Sequence, residues 1–314
     1  AEQAYLKAIE LDETFLYPRL RLGNLYQEKF HRYEEAEKVF KSATEIKDND
    51  YYPWFCLGEL YLSSLENYEE AEKSLLKAVQ LNKSKPFIWL ALGHLYTNFV
   101  DRYEEAEKAL LKAADLDEED AYTWASLGYL YSAHLNRYED AEKVLKKSLE
   151  LDSEYAYARV LLGRLYQKTH SNSGKAEEVF RKTIQLNDSY GPAWSGLGDE
   201  LRDYHHNYPE AERAFLKAIE LDADDVYTYG SLGYLYFIYL NRYEEAEKVL
   251  QKAIELNEKE SYPWALLGQI YRNNYFGLYE KSEYAYKKAI ELDKESSQAW
   301  VGIANLYLDS LKRY

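Results

Sequence analysis

The sequence predicts an all-α fold of stacked antiparallel helix pairs, and three observations carry that reading. An Ala-Glu dipeptide recurs at Ala1, Ala36, Ala71, Ala106, Ala141, Ala176, Ala211 and Ala246, with Ser282 as the last copy, so the step is 35 residues seven times and then 36. A Leu-Gly dipeptide keeps the same period from Gly23 and Gly58 through Gly268, and ends altered at Ile303-Ala304. Each half of the unit also carries one apolar stripe at helical spacing.

The first half of a unit, helix A, places Trp54, Leu57, Gly58 and Tyr61 at i, i+3, i+4 and i+7. The second, helix B, places Ala71, Leu75, Ala78 and Leu81 on one face. Short side chains at Gly58 and Ala71 let the two helices approach to about 8 Å. The glycine gives up about 1 kcal/mol of helix propensity, which close packing has to offset. Pairs such as Glu37 with Lys41 and Glu142 with Lys146 stand four apart on the outer side of helix B and read as a solvated face. One helix pair buries too little to stand alone, so stacking must supply the core.

In chain order this gives a half repeat over 1–16, repeats at about 17–51, 52–86, 87–121, 122–156, 157–191, 192–226, 227–261 and 262–297, and a half repeat over 298–314, in a single domain 1–314.

The pattern Trp54-x2-Leu57-Gly58-x2-Tyr61 followed by Ala71-x3-Leu75 resembles the tetratricopeptide repeat, W-x2-L-G-x2-Y then A-x3-F then P in 34 residues. The resemblance covers essentially the whole chain and implies a right-handed superhelical solenoid, here with eight complete units and a half unit at each end. Two departures are systematic: each unit is one residue longer between the helix A Tyr and the helix B Ala, and the closing Pro is missing. Apolar residues such as Phe30, Leu65, Val100, Leu135 and Leu240 stand three before a turn tyrosine, which predicts a slightly longer helix A. The turns at 170–174 and 205–208 break that rule and are expected to be looser.

Composition narrows function. The formal net charge is -16, from 39 basic and 55 acidic residues, and no basic block interrupts it, so nucleic acid and anionic membrane surfaces are disfavoured partners. No apolar run reaches the roughly 18 to 20 residues that insertion into a bilayer requires. The single cysteine, Cys56, lies in an apolar stretch and reads as a buried, inert thiol. No composition signal fixes a cellular compartment.

The sequence carries no Gly-rich phosphate loop, nucleophile elbow or metal-spaced Cys and His set, so no enzymatic activity, cofactor or metal is expected. His170 and His205 hold equivalent slots one helix layer apart, too far to share one ion. The acidic clusters at 117–120 and 222–225 lack the spacing of a calcium loop and read as caps and loop charges.

The chain has 34 tyrosines. Eight fill the helix A slot after Leu-Gly and eight the turn, and both sets are expected in the core. Another series stands two residues before the Trp slot: Tyr17, Tyr52, Phe87, Tyr122, Tyr157, Tyr227 and Tyr262. Two residues along a helix is about 200°, so this series shares a face with Tyr129 and Tyr234 rather than with the face packed on helix B. In the family that face lines the inner wall, so the resemblance implies an aromatic ladder along a peptide-binding groove. Stacking between neighbouring A helices is the competing reading. Lys and Asn clamp a peptide carboxylate on this wall in some relatives, but the matching positions here, including Asn24, Glu59, His94, Tyr129 and Arg164, hold no lysine.

Finally, the first helix, with Tyr5, Leu6 and Ile9, lacks its A partner, and the last, with Trp300, Ile303, Tyr307 and Tyr314 at or beyond its end, lacks its B partner. Two open apolar faces of this kind signal an interface or a longer chain. One expectation is self-association, copies of the chain joining head to tail into a filament or tube. The alternatives are a piece of a longer repeat protein that binds a peptide in the groove, and a capped monomer.

Overall fold

The computed structural model describes residues 1–169, 174–273 and 278–311, and these form eighteen α-helices, with no strand among the described residues. They fall into two compact units, Ala1–Leu161 and Leu162–Tyr314. The first contains the B-type helices α1 (Glu2–Leu11), α3 (Tyr33–Ile46), α5 (Tyr68–Leu81), α7 (Tyr103–Leu116) and α9 (Tyr138–Leu151). Its A-type helices are α2 (Leu16–Leu25), α4 (Tyr51–Ser63), α6 (Pro86–Asn98) and α8 (Ala121–Tyr129), and α10 (Ala156–Thr169) begins within it. In the second unit the A-type helices α12 (Gly191–Asp203), α14 (Val226–Tyr234), α16 (Ser261–Arg272) and α18 (Ser297–Leu311) alternate with B-type α11 (Lys175–Leu186), α13 (Tyr208–Leu221), α15 (Tyr243–Leu256) and α17 (Tyr279–Leu292).

The helix starts are set locally. Asp120 and Asp225 each accept from two backbone N–H groups at the head of α8 and α14, and Asp50 caps α4. The acidic clusters therefore serve as caps, as acceptors for otherwise orphaned N–H groups. Each A–B pair closes over its glycine. A Cβ at Gly58 would lie 2.7 Å from Leu75 and one at Gly93 2.5 Å from Leu110, so neither position has room for alanine as the helices now sit. In the second unit Phe180 is pressed by two glycines, because a Cβ at Gly163 would come within 2.6 Å of its ring and one at Gly196 within 2.4 Å.

The extra residue of each unit is absorbed in two ways. Helices α2, α8 and α14 widen into a π-turn at Tyr26–Phe30, Leu130–His134 and Leu235–Tyr239. The chain then reverses through one left-handed residue, at φ near +50° in His31, Glu66, Asp101, Asn136, His206 and Asn241. The next N–H bonds back six residues, as Asn67 does to Tyr61 and Asn207 to Leu201. The 205–208 turn thus has the same geometry as its counterparts, against the expectation of a looser one. Its left-handed residue is set by backbone hydrogen bonds rather than by the apolar side chain it lacks. Residues 170–173, including His170, lie outside the described residues.

Two further expectations are corrected. The turn tyrosines are half-buried rather than core, because they reach forward to the next repeat. Tyr68 stacks on Phe99 at 4.8 Å, Tyr103 on His134 at 4.5 Å and Tyr208 on Tyr239 at 4.8 Å. The glutamate of the Ala-Glu dipeptide is not merely solvated. Glu72 accepts from the Tyr96 hydroxyl at 2.7 Å and from Arg102 at 2.6 Å, and the Arg102 guanidinium lies 4.6 Å from the centre of the Tyr96 ring. The same triad joins Glu2 to Tyr26 and Arg32, Glu107 to Tyr131 and Arg137, and Glu212 to Tyr236 and Arg242. Each triad fastens one B helix to the following A helix, with a hydrogen bond to a charged acceptor and a cation over an aromatic face.

Candidate functional site

The ladder residues sit where the helical phase puts them, on the A-helix face away from the Trp slot. Tyr17, Tyr52, Tyr122, Tyr227 and Tyr262 remain between 38% and 58% exposed, while Phe87, Tyr129, Tyr157 and Tyr234 are half-buried. Phe87, Tyr122, Tyr227 and Tyr262 each touch the preceding A helix, at Phe55, His94, Asp199 and Gly230.

In the first unit the ladder begins with rings alone. Tyr52 lies 6.1 Å from Phe55, and Phe55 meets Phe87 edge-on at 4.7 Å. Two repeats on, it becomes polar. Tyr122 stands edge-on to His94 at 5.3 Å, and the His94 Nε2 lies 3.2 Å from the Ser126 hydroxyl, which donates to the Tyr122 carbonyl. His94, Thr97, Asn98, Tyr122, Ser126, Tyr129 and Tyr157 line a cavity of about 310 Å³. Burial holds the His94 imidazole below its usual pKa, favouring the neutral ring, and pushes the Glu59 carboxyl up. The cavity therefore offers neutral hydrogen-bonding groups between aromatic walls, which suits a peptide backbone or an amide side chain. Cys56, beneath the Tyr52 end, is buried, and desolvation pushes its thiol up to about 12. It is held as an unreactive thiol.

The second unit is ionic. Arg164, Gln167, Lys168, Asp199, Arg202, Asp203, Tyr204 and Tyr227 line a cavity of about 450 Å³. Asp199 and Arg202 are both 8% exposed. Arg202 grips Asp203 through two hydrogen bonds of 2.7 Å and reaches the Ser231 carbonyl at 3.3 Å. It also lies 2.9 Å from Asp199 Oδ1, close enough for an ion pair but not aligned for a hydrogen bond. The other Asp199 oxygen accepts from the Tyr227 hydroxyl at 2.8 Å. Burial still pushes the Asp199 carboxyl up, against the pull of Arg202. On the far side of Tyr227, Val226, Tyr227, Glu260, Tyr262 and Pro263 line a more apolar hollow of about 410 Å³. Tyr262 covers Gly230, where a Cβ would come within 3.3 Å of its ring.

Sequence reasoning missed this ionic group. The available signal was Asp199-Glu200-Leu201-Arg202-Asp203, a charged run where other A helices carry the Leu or Tyr slot, with Asp199 three residues before Arg202 on one helical face. His205 does not meet a second histidine among the described residues; its Nε2 lies 3.2 Å from Glu177 and 3.6 Å from Glu200.

The end helices differ in how much of their apolar stripe is exposed. No residue of α1 is buried, Leu6 is exposed, and Tyr5 and Ile9 are half-buried. On α18, Trp300 and Tyr307 are exposed, but Ile303 is buried with Ala265 and Tyr286 in a local core. Tyr314 lies outside the described residues. Among the described residues no helix is long and apolar enough to cross a membrane.

Comparison with known proteins adds the following. The family profile of the Cilia and flagella-associated protein 70 C-terminal domain, a tetratricopeptide-repeat profile, matches residues 1–190, and a tetratricopeptide-repeat profile matches residues 226–260. A search of curated proteins returns no significant match. Among solved structures, a tetratricopeptide repeat protein from Parabacteroides merdae is 21% identical with a TM-score of 0.63, over 82% of this chain and 98% of that one. The APC/C hetero-tetramer Cut9-Hcn1 aligns at 14% identity with a TM-score of 0.65, over 97% of this chain and 58% of the other. PilF of Pseudomonas aeruginosa aligns at 20% identity with a TM-score of 0.54, over 67% and 93%. At these identities the structures share the fold with this chain.

Proposed function

The chain belongs to the tetratricopeptide-repeat family of protein-interaction scaffolds, and from that premise we propose that it captures an extended protein segment along its A-helix tyrosine ladder. The observation that carries this reading is the ladder's double character: Tyr122 and Tyr227 are each anchored on one side, by His94 and by Asp199, yet open on the other beside a cavity. Tyrosine offers large contact area at small entropic cost, and anchoring removes much of what cost remains. A displayed peptide library selected against the chain is expected to yield binders that weaken about tenfold on Tyr122→Ala with Tyr157→Ala, while the variant keeps its helical content and a cooperative melt. A library that enriches nothing, or binders indifferent to both changes, would overturn the reading.

A second reading, head-to-tail self-association of copies of residues 1–314, is favoured by the open faces of α1 and α18. Ala304 weighs against it. Every described glycine in that slot has no room for a Cβ beneath its own B helix, from Gly23 to Gly268, whereas Ala304 carries one and would face Tyr5 of the incoming α1. Sedimentation of this polypeptide is expected to show growth with concentration under the head-to-tail reading, and Ala304→Gly to promote it. A single monomeric species throughout ends that reading.

A further inference from the structure

Building on the groove reading, we propose that the second unit selects partner segments in which an acidic side chain sits next to an apolar one. Arg164 and Lys168 receive the carboxylate, while Tyr227, Tyr262 and Pro263 receive its neighbour.

The charge distribution points there first. In a chain of net charge -16, Arg164 and Lys168 stand one turn apart on α10, both exposed, at the wall of the 450 Å³ cavity. The two carboxylates in that cavity are already engaged. Asp203 is held by both arms of the Arg202 fork, and Asp199 by Tyr227 and Arg202. Arg164, by contrast, pairs with no carboxylate among the described residues. Its guanidinium lies 5.6 Å from the centre of the Tyr227 ring. That contact orients a planar fork whose geometry matches a carboxylate, so less side-chain freedom is lost when one arrives.

Tyr227 is also the shared wall. It lines the ionic cavity on one side and the hollow of Val226, Tyr262 and Pro263 on the other. A residue adjacent to the bound acid therefore meets aromatic and proline surface. Glu260 at that hollow repels a second acid, which restricts the preference to one acidic residue beside an apolar one.

The test uses end-blocked fluorescent peptides in a Gly-Ser frame that differ at one position, Glu-Phe, Gln-Phe or Lys-Phe, titrated into the full chain. The Glu-Phe peptide is expected to bind about tenfold more tightly than Gln-Phe, with Lys-Phe weakest and the advantage shrinking as salt is added. The double variant R164Q/K168Q should bring Glu-Phe and Gln-Phe within about twofold, and R164E/K168E should reverse the order in favour of Lys-Phe. Equal affinity for all three peptides overturns the acidic preference while leaving the groove reading standing. Binding that requires a free peptide C-terminus overturns the assignment to a side chain. Binding of none of the peptides, together with an unenriched library, overturns both.

Discussion

Replacing Arg202 with Met is expected to destabilise the second unit by about 3–5 kcal/mol, the cost of leaving a buried charge without its partner. Asp199 is 8% exposed, and without Arg202 its carboxylate would keep only neutral hydroxyls, those of Tyr227 and Ser231, as a counterweight. Asp203 is exposed and can turn to water, so most of the loss falls on Asp199. The Arg202 side chain also lies 5.2 Å from the Tyr234 ring and 5.6 Å from Phe215, which Met can still fill in part. Adding Asp199→Asn should therefore recover more than half of the loss, since the orphaned charge is gone. Urea unfolding together with hydrogen exchange of the α12 and α14 amides measures both. A loss under about 1 kcal/mol in the single variant would mean that Asp199 is already neutral or reaches water.

Phe180→Ala is expected to cost as much, toward the upper end of the roughly 3–5 kcal/mol seen when a core phenylalanine is truncated. The ring is fully buried and pressed between Gly163 on α10 and Gly196 on α12. Two glycines have no side chains to move into the void, so the cavity cannot collapse without shifting helices. Phe180→Leu should cost far less, because Leu already fills this slot over Gly93 and Gly128 through Leu110 and Leu145. Comparable losses for Ala and Leu would show that ring shape, rather than filled volume, holds the pair together.

How far the sequence could be read follows from the distance over which each feature is encoded. The helix pairs, their glycine contacts and the ladder are written at spacings of three, four and seven within one helix, and Tyr122 and Tyr227 stand where those spacings put them. The Glu72, Tyr96 and Arg102 triad joins residues 24 and 30 apart, a pairing that no single-helix pattern reveals, although the 35-residue recurrence of all three types was visible. The turns were misjudged for another reason. A left-handed residue usually announces itself as glycine, but here Glu66, Asp101 and His206 take that conformation under backbone hydrogen bonds. The ionic cavity was hidden because no spacing within α12 says that Asp199 and Arg202 are buried.

The Glu, Tyr and Arg triads also bear on how the first unit would yield under load. Each ties a helix to the next pair and none skips ahead, so a pull applied along the stack would act on neighbouring joints one after another, the triads sharing it with the apolar packing beneath them. Such a material gives way one pair at a time, as a chain of similar links does.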